Sequence, residues 1–253
     1  MGMVRKVPEV TVFFWIIKVL ATTVGETAAD LLSTKLNLGL TITSYVMSGV
    51  FIAALIWQVR TKGYLPTPYW LTVVLISVVG TLISDNLVDG LGISLVTTSI
   101  AFALTLSTVF GAWYASEKTL SVHTIFTRRR EMFYWGAILF TFAMGTSVGD
   151  LIAETLNVGY GLTALVFAGL IGIVAFLNVS LPRHSILWFW TAYVMTRPLG
   201  ASIGDFLAKP VIAGGLGWGT IATSLIFLSI IAMLVTYLTI SKTDRLPAAT
   251  AEA

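Results

Sequence analysis

The feature that most limits what this chain can become is a fourfold recurrence: four long apolar segments each end on a small residue, a carboxylate and a second ionisable group four positions on. The copies are Thr22-Thr-Val-Gly-Glu26-Thr-Ala-Ala-Asp30, Thr81-Leu-Ile-Ser-Asp85-Asn-Leu-Val-Asp89, Thr146-Ser-Val-Gly-Asp150-Leu-Ile-Ala-Glu154 and Ala201-Ser-Ile-Gly-Asp205-Phe-Leu-Ala-Lys209. On a helix, positions i and i+4 share a face, so each copy presents one polar patch in an apolar wall. Taking Glu26, Asp85, Asp150 and Asp205 as the key acids, Ala21, Gly80, Gly145 and Gly200 stand five positions earlier, and Gly25, Ser84, Gly149 and Gly204 one position earlier. Trp70, Trp135 and Trp190 lie fifteen residues before their acids, and Trp15 lies eleven before Glu26. Self-similarity at this length points to one two-helix unit used four times.

The segments between the acids are long enough to cross a bilayer. Of the 253 residues, 57% are hydrophobic and only 11% charged, against roughly 25% charged in a soluble domain. A spanning helix needs roughly 20 mostly apolar residues. Eight such runs are present, near Val10–Leu32, Leu40–Val59, Tyr69–Val88, Ser94–Ala115, Met132–Leu156, Gly161–Val179, Ser185–Leu207 and Gly219–Ile240. The expected fold is an all-α membrane protein with eight transmembrane helices in one domain. It is built from four parallel helical hairpins, near residues 10–60, 66–116, 131–180 and 185–240. The small-xxx-small faces bring the odd helices together inside, and the almost uncharged even helices lie outside. Residues 241–253 read as a flexible tail.

Arg60, Lys62, Lys118, Arg128–Arg130 and Arg183 fall in the linkers after the even runs, and Arg5, Lys6, Lys242 and Arg245 near the termini. The linkers after the odd runs are short and carry only Lys35 and Lys209. The positive-inside rule therefore puts both termini in the cytoplasm. Lys18 interrupts the first run and no small-x-small cleavage site follows, so this run reads as a mature helix rather than a signal peptide. Cysteine is absent, which excludes disulfides and thiolate metal sites. No basic or acidic tail suggests nucleic acid. Partners are expected to be the lipid bilayer and a small cation or solute, and a homo-oligomer is compatible with the sequence.

Four tandem two-helix repeats with a tryptophan and a Gly-Asp type motif resemble a family of bacterial integral membrane proteins known mainly as a four-copy repeat of unknown function. The resemblance runs from Phe13 to about Tyr237, and rests on the tryptophans and on Gly25-Glu26, Ser84-Asp85, Gly149-Asp150 and Gly204-Asp205. It implies eight spans in a bacterial inner membrane and no settled substrate. Lys209, where the other copies have an acid, argues against four equivalent sites.

An ionisable group at mid-bilayer costs about 2.5–3.5 kcal/mol on insertion scales, so seven carboxylates in or beside spanning helices imply use. Carboxylates with nearby hydroxyls (Thr22, Thr81, Thr146, Ser147, Ser202) are hard oxygen ligands suited to Mn, Mg or Ca ions, and crowded carboxylates hold protons that a metal would displace. The expected function is a non-enzymatic secondary transporter for a cation, most simply a divalent metal such as manganese exchanged against protons. No cofactor is required beyond a bound divalent cation. The metal-facing set is Glu26, Asp30, Asp85, Asp89, Asp150, Glu154 and Asp205, with Asp205 held by Lys209 or Arg197. Lys18 and Arg197, each eight residues before an acid, and Lys209 are expected as gating groups or counter-ions, and Pro198 is expected to kink its helix. Alternatives are an organic or anionic solute bound by Lys18 and Arg197, or a non-transporting membrane sensor. An intramembrane aspartyl hydrolase fits poorly, because Ser202 replaces the first glycine of its Gly-x-Gly-Asp motif and the acids recur four times.

Overall fold

The computed structural model describes residues 5–245, and among them every regular element is helical. Eight long helices follow one another: α1 Val12–Asp30, α2 Gly39–Arg60, α3 Pro66–Asp85, α4 Leu95–Glu117, α5 Arg128–Asp150, α6 Tyr160–Ser180, α7 Ser185–Ala208 and α8 Thr220–Ser241. Seven are long and apolar enough to cross a membrane. The eighth, α7, matches them in length but carries Arg197 and Asp205 along its inner face. Local signals set the helix starts. Thr11, Ser94 and Thr127 hydroxyls accept the first free amides of α1, α4 and α5, and Pro66 opens α3 where its missing N–H costs nothing.

The odd helices close a ring, α1 against α3, α3 against α5, α5 against α7 and α7 against α1. The even helices line its outside. Of the central residues, 56–61% are buried in α1, α3 and α5, but only 17–22% in α2, α4, α6 and α8. The even helices do not lie mainly against their own repeat's odd helix. Instead α2 packs on α3, α4 on α5 and α6 on α7, while α8 returns to α1. Each repeat thus covers the next, and the last covers the first.

The ring also corrects the register of the first repeat. Helices α3 and α5 end on Asp85 and Asp150, and a five-residue π turn follows at once, Asn86–Gly90 and Leu151–Thr155. Helix α1 does the same after Asp30, with a π turn over Leu31–Lys35. Asn37 and Asn157 then take the same left-handed conformation two residues before Gly39 and Gly159. Asp30, not Glu26, is therefore the counterpart of Asp85, Asp150 and Asp205. In this register all four tryptophans stand fifteen residues before their acids.

The close approaches obey the same register. A Cβ on Gly80 would lie 2.6 Å from Phe142 Cβ, and one on Gly145, Gly200 or Gly25 would meet Arg197, Thr22 or Ser77 more closely still. In each case the glycine five residues before an acid receives the residue eight before the acid of the neighbouring helix. Glycine is needed there because any side chain would separate the backbones. Helix α7 continues as one helix through Pro198, whose ring edge packs against Gly145 and Gly149.

Near the chain termini the ring is capped by the segment before α1. Lys6 N donates to Ile125 O, Tyr64 N to Arg5 O, and Glu9 N to Asp244 O. Asp244, in the stretch expected as a tail, is buried and accepts a hydrogen bond from the Tyr64 hydroxyl. The remainder of that expected tail, 246–253, lies outside the described residues.

Candidate functional site

Equivalent residues of the odd helices meet at common levels across the ring. The topmost level, at the helix C-terminal ends, is acidic. Glu26, Asp30, Asp85, Asp89, Asp150, Glu154 and Lys209 line a cavity of about 100 Å³ together with Val88 and Leu95. Asp205, the fourth counterpart, is 3% exposed and lies 3.7 Å from Lys209 Nζ, which also donates to Glu154 Oε1 at 2.9 Å and to the Tyr160 hydroxyl at 2.8 Å. Lys209 thus neutralises one side of the cavity, and Tyr160 supports it by donating to Glu154 Oε1 at 2.6 Å. Asp30, Asp85, Asp89 and Asp150 make no ion pair or side-chain hydrogen bond among the described residues.

One helical turn deeper, four residues before the acids, the ring carries Glu26, Thr81, Thr146 and Ala201. The Arg197 guanidinium fills its centre and is fully buried. Its Nη2 donates to Glu26 Oε2 at 2.8 Å, to Thr146 Oγ1 at 2.6 Å and to Thr81 Oγ1, and its Nη1 donates to Thr22 O at 3.2 Å. The threonine hydroxyls donate their own protons to Ser77 O and Phe142 O on their helices, each at 3.2 Å, which leaves oxygen lone pairs facing the guanidinium. All three other odd helices therefore hold the arginine of the fourth.

Lys18 lies a further level down, twelve residues before Asp30, not at the level of Arg197 as the first register implied. Its Nζ is buried without a hydrogen-bond partner and sits 4.2 Å and 4.1 Å from the ring centres of Phe142 and Tyr193. Two ring faces enclose the amine. Beneath it Phe14, Trp70, Trp135, Trp190, Tyr69 and Tyr134 pack against one another, edge to face or tilted, and fill the axis. At the far end Lys6 Nζ donates to Glu131 Oε2 at 2.7 Å and Val59 O at 2.8 Å, beside Gln58.

The expected site residues thus fall into separate roles. Asp30, Asp85, Asp89 and Asp150 meet at one cavity. Glu26 is taken by Arg197, Glu154 and Asp205 are taken by Lys209, and Arg197 does not reach Asp205. Among the described residues, no group of three or more Asp, Glu, His or Cys side chains is placed to hold a metal ion. Sequence reasoning missed Tyr160, Lys6, Glu131 and Gln58. Tyr160 had one signal, its place directly after the Gly159 turn. A larger, mainly apolar groove of about 530 Å³ opens between α6 and α7 beside Trp188 and His123. It lacks the carboxylates, so the smaller cavity is the candidate site.

A repeat of unknown function (DUF347) matches the chain four times, over residues 13–64, 68–119, 133–183 and 188–244. The chain belongs to this family. Each DUF347 repeat begins at the same distance before Asp30, Asp85, Asp150 or Asp205, in agreement with the register set by the ring. No curated protein and no solved structure matches the chain.

Proposed function

We propose that this DUF347 protein is a secondary transporter for a cation, a divalent metal such as manganese exchanged against protons. Its eight long helices all span a bacterial inner membrane, with both termini in the cytoplasm. The observation that carries this reading is the set of carboxylates without basic partners, Asp30, Asp85, Asp89 and Asp150, at one cavity inside a membrane-spanning ring. An unpaired carboxylate in the bilayer costs about 2.5–3.5 kcal/mol at its most buried. Protons in one state and a cation in another remove that cost, which couples the two. The axis below the cavity is filled by Arg197, Lys18 and the aromatic layer, as a carrier open to one side requires. The carboxylates stand apart in this conformation, so an entering ion arrives with part of its water shell and draws them together. An anion carrier is less well supported. Arg197 already has four oxygen partners and Lys18 is enclosed by two rings.

The test is uptake by proteoliposomes across a panel of divalent ions, with and without an opposing proton gradient. Manganese flux should depend on the gradient and disappear in Asp150→Asn while the purified variant unfolds at no lower a temperature than the wild type. Absence of flux for every ion, with protein correctly inserted, removes the reading.

A further inference from the structure

The level below the aspartates has the composition of a cation site and is already full. Glu26 Oε2, Thr81 Oγ1, Thr146 Oγ1 and Thr22 O come from three helices and converge on one guanidinium. Each threonine hydroxyl donates its proton to the carbonyl four residues earlier on its own helix, which turns its oxygen lone pairs toward the guanidinium. Two departures from the repeat pattern create the arrangement, and they complement each other. Repeat one has Glu26 where repeats two and three have threonine; repeat four has Arg197 where the others have Thr22, Ser77 and Phe142. Gly145 supplies the room, since a Cβ there would collide with the Arg197 side chain. Glu26 joins the two levels, because it both bonds Arg197 and lines the aspartate cavity.

We infer that this ring is a second cation-binding site, occupied by Arg197 as a tethered cation, and that a free cation entering from the aspartate cavity competes with the guanidinium for Glu26. The site itself stands on the geometry alone; only the competition rests on the transport reading. The ligand class is a small cation up to the size of guanidinium that accepts neutral hydroxyl, carbonyl and single-carboxylate oxygens. Arginine keeps its charge under all physiological conditions, so the ring is never without a cation unless the side chain moves. Removing the tether should therefore expose a site that a soluble guanidinium ion refills.

The experiment uses the full-length protein in detergent and follows thermal unfolding with guanidinium sulfate against an equal concentration of sodium sulfate. In Arg197→Ala, guanidinium at about ten times its Kd should raise the unfolding temperature by ~3–6 °C relative to sodium. The wild type should show no such rise. Adding Thr81→Val and Thr146→Val to Arg197→Ala should abolish it. Should Arg197→Ala fail to fold because Glu26 is left alone, Glu26→Gln/Arg197→Ala removes both charges together. That pair should still give a smaller rise that the two valine substitutions cancel. Equal responses to guanidinium and sodium in the variant that folds, or a rise that survives the valine substitutions, overturn the site. Competition is read separately, as faster manganese uptake in Arg197→Ala that added guanidinium slows. If binding is found without flux, the site stands and the transport reading fails.

Discussion

The two ends of the odd-helix ring solve the problem of buried charge in opposite ways. At the end bearing the termini, Lys6 and Glu131 are both buried and bonded to each other, Arg5 pairs with Glu9, Arg130 with Glu117, and Asp244 accepts from Tyr64. At the other end, Asp30, Asp85, Asp89 and Asp150 face a cavity and have no basic partner among the described residues. Paired charges fix a structure, whereas unpaired ones tie up free energy that only a ligand or a proton releases. The first end reads as a lock and the second as a receptor. If that division is correct, substitutions should affect stability at one end and flux at the other.

The largest effect is expected from the lock. Glu131→Ala leaves Lys6 buried without its counter-charge, and should cost about 3–5 kcal/mol, seen as a much lower unfolding temperature in detergent. Replacing Lys6 with Met in the same chain should recover most of the loss. A loss in Glu131→Ala no greater than that of a surface substitution would break the comparison at its stronger end.

The glycines sharpen it next. Gly80→Ala and Gly145→Ala force a methyl group against Phe142 or Arg197 and should cost about 1–3 kcal/mol by overpacking. At Gly149 the nearest atom to a Cβ is 3.5 Å away. Gly149→Ala should be neutral, or gain up to ~1 kcal/mol from helix propensity. Equal behaviour of Gly145 and Gly149 in thermal unfolding would mean that the helices do not approach as closely as described.

At the receptor end, Asp85→Asn or Asp150→Asn should change stability by less than ~1 kcal/mol, toward greater stability, yet stop ion flux. A strongly destabilised Asp150→Asn would place this acid among the locking groups. The smallest effect concerns Asp244, whose carboxyl is pushed above the usual carboxylate range by burial, with the Tyr64 hydrogen bond opposing the shift. A folded-state value above the unfolded one means that its contribution to stability is full in acid and lost as pH rises through the folded value. Asp244→Asn should therefore gain on the wild type in unfolding temperature as the pH is raised from acid to neutral. A difference that does not change with pH would refute this.

Much of the molecule could be read from the chain, and the misreadings have physical causes. Apolar runs and linker charges gave the helices within a few residues, because bilayer length is a strict constraint. In repeat one, Gly25-Glu26 misplaces the register, because a glycine followed by a carboxylate mimics Gly149-Asp150. The better guides were the tryptophan spacing and the shared turns Leu36-Asn37-Leu38-Gly39 and Leu156-Asn157-Val158-Gly159, since backbone geometry tolerates less change than charge placement. The partner of each even helix could not be read at all. These helices are apolar all round, so no face of α6 or α8 marks what it will cover. Glu131 and Lys6 were hidden for a different reason: each stands beside arginines or near a terminus, where a solvated charge is the ordinary expectation.

The return of α8 to α1 has a consequence for biosynthesis. Of the eight helices the one made first, α1, is the last to gain its outer neighbour, and until α8 is made its flank must rest against lipid or the insertion machinery. A chain halted after α7 would hold a finished ring with one open seam, so quality control that senses α1 would in effect be checking that translation reached α8.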